Sequence, residues 1–226
     1  MKRFYVFLLA IALLALPQIG MATVLNYTLA TVVDGSTPAD ATLTVNDEST
    51  PGAIQFDLEV IVDPNIGDLR GIFFDLVGDF PEGLTTADIY GDHITDKVID
   101  EDSVTGTGGG NTINPLGPFD VGLEIGFSGM ATKKGMEGDI QYTTFYVSNL
   151  DGALDAEAFE NFAVRMTSVG TVDGDREGSS KLGTVTTTTD PPPPTGSEVP
   201  EPATMFLLGS GLIGLAGFGK KLRKKK

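Results

Sequence analysis

The 226 residues include 31 Asp and Glu against 15 Lys and Arg, a net charge of −16, with one histidine and no cysteine. This composition excludes disulfides, thiolate metal sites and cysteine nucleophiles, and it disfavours histidine-rich zinc sites and Ser-His-Asp catalysis. The basic residues gather at the two ends, so residues 23–199 hold seven basic and 30 acidic side chains. Such a surface repels phosphate backbones, which argues against nucleic acid as a partner.

The first 22 residues have the layout of a secretory signal peptide. Lys2 and Arg3 precede an apolar run over residues 4–16, which is followed by Pro17 and small residues. This order predicts export through the secretory translocon and cleavage by signal peptidase after Ala22. An uncleaved N-terminal anchor is the alternative, and the short apolar run disfavours it.

Residues 23–185 alternate apolar and polar side chains, as half-buried strands do. The clearest case is 53–63, where Ile54, Phe56 and Leu58 share one face and acidic residues share the other. Similar patterns predict strands at 24–33, 41–46, 71–77, 121–128, 140–148 and 162–169. We therefore predict one all-β domain at 23–185, an antiparallel β-sandwich of jelly-roll or Ig-like type.

Three other stretches of this domain are predicted without regular strands. Residues 85–90 and 155–161 suggest short helical turns, and residues 100–118 suggest a long flexible loop. The glycine run inside that loop lacks the GK[ST] ending of a phosphate loop, so it gives no support for nucleotide binding.

An acidic stretch near the end of the domain is the one candidate metal site. Asp173, Asp175 and Glu177 stand at alternate positions before a glycine, which is similar to the first half of a calcium loop. The pattern departs from such loops because Thr184 stands where the bidentate glutamate is expected and because the flanks are strand-like. A solvated turn between strands is the alternative.

No catalytic residue can be selected from the sequence. A glycosidase needs a pair of carboxylates, and 30 acidic residues allow too many pairs to choose one. Sugar binding requires exposed aromatic rings. Tryptophan is absent, so the candidates outside the signal peptide are Tyr27, Tyr90, Tyr142 and Tyr146.

The C-terminal part begins with a Thr- and Pro-rich linker at 186–198, which is predicted to form an extended stalk. Residues 203–219 are 17 uncharged residues, a helix of about 26 Å that just spans a hydrocarbon core. Six of the last seven residues are basic and should stay cytoplasmic, which leaves the acidic domain on the other side of the membrane.

Residues 199–226 resemble the PEP-CTERM sorting signal of Gram-negative bacteria, because Val-Pro-Glu-Pro, a glycine-rich span and a basic cluster follow in that order. The resemblance implies that an exosortase, a membrane enzyme of the transpeptidase type, removes the tail. Pro200, Glu201 and Pro202 would be its recognition motif, with the prolines holding the backbone extended. Association with exopolysaccharide and biofilm is implied by the resemblance alone.

These features predict an exported, non-catalytic protein that passes from an inner-membrane intermediate to the cell surface, outer membrane or extracellular matrix. A carbohydrate-binding module, with or without calcium, is one alternative. A secreted hydrolase is the other. No cofactor is expected apart from calcium in the first alternative.

Overall fold

The computed structural model describes residues 23–33, 37–78, 80–126, 138–148, 152 and 154–189. Their regular structure is almost entirely β, with short 3-10 turns at Thr86–Asp88, Gly108–Gly110 and Ala156–Ala158. No helix among these residues is long and apolar enough to cross a bilayer. The strands are β1 (Val24–Val33), β2 (Asp40–Thr50), β3 (Ala53–Ile61), β4 (Asn65–Leu76), β5 (Ile89–Gly91), β6 (Ile94–Val104), β7 (Phe119–Ile125), β8 (Tyr142–Ser148), β9 (Phe159–Thr171) and β10 (Gly178–Thr189).

The ten strands form one antiparallel sheet in the order β5-β8-β3-β2-β1-β10-β9-β4-β7-β6. Strands β3 and β4 stand five places apart, which in a flat sheet would separate them by about 24 Å. The Phe56 ring on β3 nevertheless stacks on the Phe74 ring on β4, with centroids 5.7 Å apart. The sheet therefore folds over so that its halves pack face to face, and the predicted all-β antiparallel fold is confirmed.

The core between the two halves is built around aromatic rings. Phe56 stacks on Phe145 with centroids 4.6 Å apart and meets Phe159 edge-on at 4.9 Å. Phe74 and Phe162 complete the group, and each of the five side chains is at most 1% exposed. Because successive strand residues point to opposite faces, the alternation seen in the sequence carries these rings inward.

A second, smaller apolar cluster covers the opposite face of β4, β7 and β9. It joins Phe73, Phe119 and Ala163 on the strands to Ile113 in the segment that connects β6 and β7. The prediction of a flexible loop over 100–118 is corrected here, because β6 continues to Val104 and the rest packs on the sheet. Asn111 also holds the segment down by donating a 2.8 Å hydrogen bond to the Arg70 carbonyl.

The sequence pattern predicts seven of the ten strands and misses β5, β6 and β10. Strand β5 is only three residues long, and β6 lies at an edge with mostly polar side chains. Strand β10 is rich in threonine, whose branched side chain favours strands without marking an apolar face. It pairs with β1 as far as Thr189, so residues 186–189 of the predicted linker belong to the sheet. Residues 190–198 lie outside the described part.

The two edge strands, β5 and β6, follow each other in the chain through a turn at Asp92 and His93. They stand at opposite ends of the strand order, and a side chain connects them. The Lys97 ammonium on β6 donates to the carbonyl of Thr86 at 2.9 Å and to that of Ile89. These contacts hold β5 near β6 where backbone pairing does not.

Candidate functional site

Several predicted site residues fall outside the described part of the chain. They are Pro200, Glu201 and Pro202 of the sorting motif and Ala22 at the predicted cleavage point. The predicted signal peptide and the span at 203–219 lie there as well. The candidates in the described part are the acidic turn and the four tyrosines considered for sugar binding.

The acidic turn connects β9 to β10, and Asp173, Asp175 and Glu177 are all exposed on it. A 3.1 Å hydrogen bond from the Gly174 backbone N–H to the Thr171 carbonyl closes the turn. Among the described residues, no group of three or more Asp, Glu, His or Cys side chains could hold a metal ion. Calcium binding at this turn stays a prediction, and calorimetry at millimolar calcium, with D173N/D175N as the control, tests it.

Arg176 lies between these acidic residues but points in the opposite direction, into the fold. Its guanidinium pairs with the Asp139 carboxylate, and both side chains are only 4% exposed. Its Nε donates a 3.0 Å hydrogen bond to the Ser168 carbonyl. The pair therefore fixes the residues just before β8 to the end of β9, a role that the sequence pattern did not reveal.

Asp68 on β4 extends this buried charged cluster. Its Oδ1 accepts a 2.8 Å hydrogen bond from the Ile140 N–H, and the Ile140 carbonyl accepts one of 2.8 Å from the Leu69 N–H. Burial raises the pKa of Asp68 from 3.8 to about 6, against the opposing effects of the Ile140 hydrogen bond and the neighbouring arginines, with the Asp139 charge adding to the rise. The cluster thus serves to fasten residues 138–141 to β4.

A second buried ion pair lies beneath the segment between β6 and β7. Arg70 Nη2 lies 3.8 Å from Glu124 Oε1, and both side chains are almost fully buried. Asn111 donates to Glu124 Oε1 at 3.3 Å as well as to the Arg70 carbonyl. These groups, like the Asp68 cluster, are engaged in holding backbone segments in place.

The four candidate tyrosines divide into one buried and three surface residues. Tyr27 packs on Phe162 inside the core with centroids 4.6 Å apart, so it offers no platform for a ligand. Tyr90 on β5 and Tyr146 on β8 are register partners, and their rings stack with centroids 5.3 Å apart at 20°. Tyr142 on β8 is 51% exposed and lies four residues before Tyr146 on the same side of the strand.

A hydrogen-bond network joins Tyr142 to the neighbouring strand β3. Asp57 Oδ1 accepts from the Tyr142 hydroxyl at 2.8 Å and from Thr144 Oγ1 at 2.6 Å. Asp57 Oδ2 accepts from Gln55 Nε2 at 2.7 Å. We call the surface formed by Tyr90, Tyr142, Tyr146, Thr144, Gln55 and Asp57 the tyrosine face.

Gly91 explains how the short strand β5 reaches this face. A Cβ atom at this position would lie 2.4 Å from the Phe145 Cα and 2.5 Å from the Thr144 carbonyl oxygen. Only glycine therefore allows β5 to approach β8 so closely, and this approach brings Tyr90 against Tyr146. The alternating residues of β8 indicate the face in the sequence, whereas β5 gave too short a pattern to be predicted.

The C-terminal residues assign the chain to the class of exported proteins that carry a sorting signal. Residues 198–224 match the family model of the PEP-CTERM protein-sorting motif. The chain thus carries the predicted PEP-CTERM signal, which marks an exported protein that is targeted to an exosortase and processed toward the cell surface. No curated protein and no solved structure matches the chain.

Proposed function

We propose that this chain is a non-catalytic component of the cell surface or extracellular matrix of a Gram-negative bacterium, associated with exopolysaccharide. The observation that carries the proposal is the sorting motif at 198–224, which follows an acidic, all-β domain. In this proposal signal peptidase cuts after Ala22, residues 203–219 hold the intermediate in the inner membrane, and the exosortase recognises Pro200, Glu201 and Pro202. The secretory translocon is the route of export.

The arrangement of charged groups supports a non-catalytic role. The buried charges of Asp68, Asp139 and Arg176 hold backbone segments together, and Arg70 and Glu124 pair beneath a packed segment. The single histidine, His93, is exposed on the turn between β5 and β6. A hydrolase would need converging polar groups in an accessible cleft. The buried charged side chains named here instead make structural contacts with neighbouring backbone segments and with each other.

The sorting step is tested by the mass of the mature protein isolated from its host. Wild-type chain should have lost its C-terminal tail, whereas a variant with Pro200, Glu201 and Pro202 all replaced by alanine should keep it. Replacing Pro192, Pro193 and Pro194 by alanine is the matched control, because it changes three nearby residues and leaves the motif intact. A mature wild-type protein with its whole tail, or a control that also keeps it, contradicts the proposal.

Carbohydrate binding by the domain itself is the second candidate function. The tyrosine face favours it over a secreted hydrolase, because exposed aromatic side chains lie there beside an ordered set of polar groups. Retardation of the protein in gels that contain the matrix polymer of its host tests this function directly. Unchanged mobility in every such polymer contradicts it.

A further inference from the structure

We propose that the tyrosine face is a binding site for an uncharged polysaccharide chain, with the exposed Tyr90 ring, supported by its stacking on Tyr146, as the aromatic platform and the Asp57 network as the hydrogen-bonding part. This inference rests on the proposed association with exopolysaccharide and assigns it to particular residues. The ligand chemistry is that of a neutral pyranose chain, which offers apolar C–H faces and hydroxyl groups in alternation.

The position of the aromatic rings carries the first part of the inference. Tyr90 and Tyr142 are 46% and 51% exposed, and both exposed aromatic side chains of the described residues lie on this one face. Burying such rings is favourable, so leaving two of them in solvent on one surface indicates a partner. The Tyr142 and Tyr146 positions are about 13 Å apart along β8. This distance suits an extended oligosaccharide better than a single sugar.

The polar groups between the rings carry the second part. Asp57 and Thr144 are register partners on β3 and β8, and they lie between the Tyr142 and Tyr146 positions. Asp57 is held by hydrogen bonds from Tyr142, Thr144 and Gln55 of 2.8, 2.6 and 2.7 Å. Ser49 adds a 2.7 Å hydrogen bond to Gln55 Oε1. Because these side chains are already held in place, binding a ligand loses less conformational entropy.

The charge of the surface selects among polysaccharides. Asp57 lies within the face, Glu59 is exposed next to it on β3, and residues 23–199 carry 30 acidic against seven basic side chains. Polymers with carboxylate or phosphate groups are therefore repelled, as nucleic acid is. The carboxylate of Asp57 can instead accept hydrogen bonds from sugar hydroxyls, which are among the stronger hydrogen bonds in proteins.

The inference is tested by electrophoresis of the full chain, purified in detergent, in gels containing galactomannan, mixed-linkage β-glucan, dextran or alginate. We expect retardation by at least one of the three neutral polymers and none by alginate. Tyr90→Ala and Tyr146→Ala should each weaken binding to that polymer by about three- to tenfold. Tyr142→Phe keeps the ring but loses the hydroxyl that bonds Asp57, so it should weaken binding as well.

Two further variants separate the site from the fold. Gly91→Ala changes no tyrosine but forces β5 away from β8 and so displaces Tyr90, and it should therefore weaken binding as Tyr90→Ala does. Val172→Ser is the matched control, because Val172 is 46% exposed, as Tyr90 is, but lies in the turn between β9 and β10. It should bind as the wild type does. Urea unfolding of each variant verifies that the exposed substitutions leave the domain folded.

The outcomes distinguish this inference from the proposed function. If wild type is retarded and the tyrosine variants are retarded equally, the site is wrong and the association with polysaccharide stands. If no neutral polymer retards the wild type, the site is overturned. The association with exopolysaccharide is then decided separately by gels that contain the matrix polymer of the host, and the sorting step by removal of the C-terminal tail. Equal retardation by alginate overturns the preference for uncharged chains.

Discussion

The ammonium group of Lys97 donates a hydrogen bond to the backbone carbonyl of Ile89. This contact connects the edge strand β6, which carries Lys97, to the other edge strand, β5. Backbone hydrogen bonds do not join β5 and β6. The Lys97 side chain therefore connects these two strands, whereas backbone hydrogen bonds connect neighbouring strands elsewhere in the sheet. Strand β5 also carries Tyr90, so the same contact supports the tyrosine face.

Replacing Lys97 with methionine should loosen β5 with little effect on the rest of the domain. The change keeps the apolar stem but removes the hydrogen bonds to Thr86 and Ile89, at a cost of about 1 kcal/mol. Backbone amide exchange at Ile89–Gly91 should become faster, while exchange in β9 stays slow. Glu101→Gln, on an exposed part of β6, is the control. Unchanged exchange in β5 would show that Lys97 does not hold it.

Removing one partner of the buried pair of Arg176 and Asp139 should lower the free energy of unfolding more than replacing both partners. Arg176→Met leaves the Asp139 carboxylate buried without its cation, which should lower the free energy of unfolding by about 3–5 kcal/mol. Combining it with Asp139→Asn should recover part of the loss. Glu177→Gln changes an exposed neighbour and should have an effect within about 0.5 kcal/mol. Urea unfolding measures all three, and equal losses in the single and double variants would contradict a direct pairing.

Asp68 should make the stability of the domain depend on pH. Because its pKa is raised from 3.8 to about 6 in the folded protein, the neutral form is favoured by folding. The stabilisation from this group is therefore full below about pH 4 and is lost as the pH rises through 6.

The Asp68→Asn variant isolates that effect, since its amide oxygen can still accept the Ile140 hydrogen bond. Relative to the variant, the wild type should lose stability between pH 4 and pH 7, as followed by urea unfolding at each pH. The control variant Asp175→Asn, changed at an exposed position, keeps Asp68 and should lose stability over this pH range as the wild type does. A wild type that gains stability over this range relative to Asp68→Asn would contradict the raised pKa.

Phe56→Ala should remove the centre of the aromatic core. Its ring is fully buried and contacts Phe74, Phe145 and Phe159, so truncation should cost about 3–5 kcal/mol in the free energy of unfolding. Val62→Ala, just after the same strand at a 52% exposed position, should cost far less. Similar losses for both changes in urea unfolding would contradict the folding of the sheet over Phe56.

The sequence predicted those parts of the fold in which one face of a strand is apolar. Phe56 and its neighbours on β3 alternate clearly because one side of that strand faces the core. Strand β10 could not be predicted in this way, because its threonines and glycines mark no apolar face and its place depends on pairing with β1 and β9. The position of strand β5 depends on the close approach of Gly91 to Thr144 and Phe145, which are distant from it in the sequence.

The candidate site followed the same division. Tyr142 and Tyr146 share a face of β8 because of strand periodicity, which the sequence shows. The stacking of Tyr90 on Tyr146 depends on which strands are neighbours, and no local pattern contains that information. Arg176 lies in a stretch whose sequence indicates a polar turn, and nothing near it in the sequence indicates its pairing with Asp139, 37 residues earlier in the chain.

Strand β10 is the last strand of the described residues, and it lies in the middle of the sheet with β1 on one side and β9 on the other. In the proposed membrane-held intermediate, before the exosortase removes the tail, tension on the tail enters the domain along β10. The load then falls on two hydrogen-bonded ladders in shear, and many bonds must yield together before the strand slides out. A tether continuing from an edge strand would peel one bond at a time, so this strand order gives the domain mechanical resistance at its point of attachment.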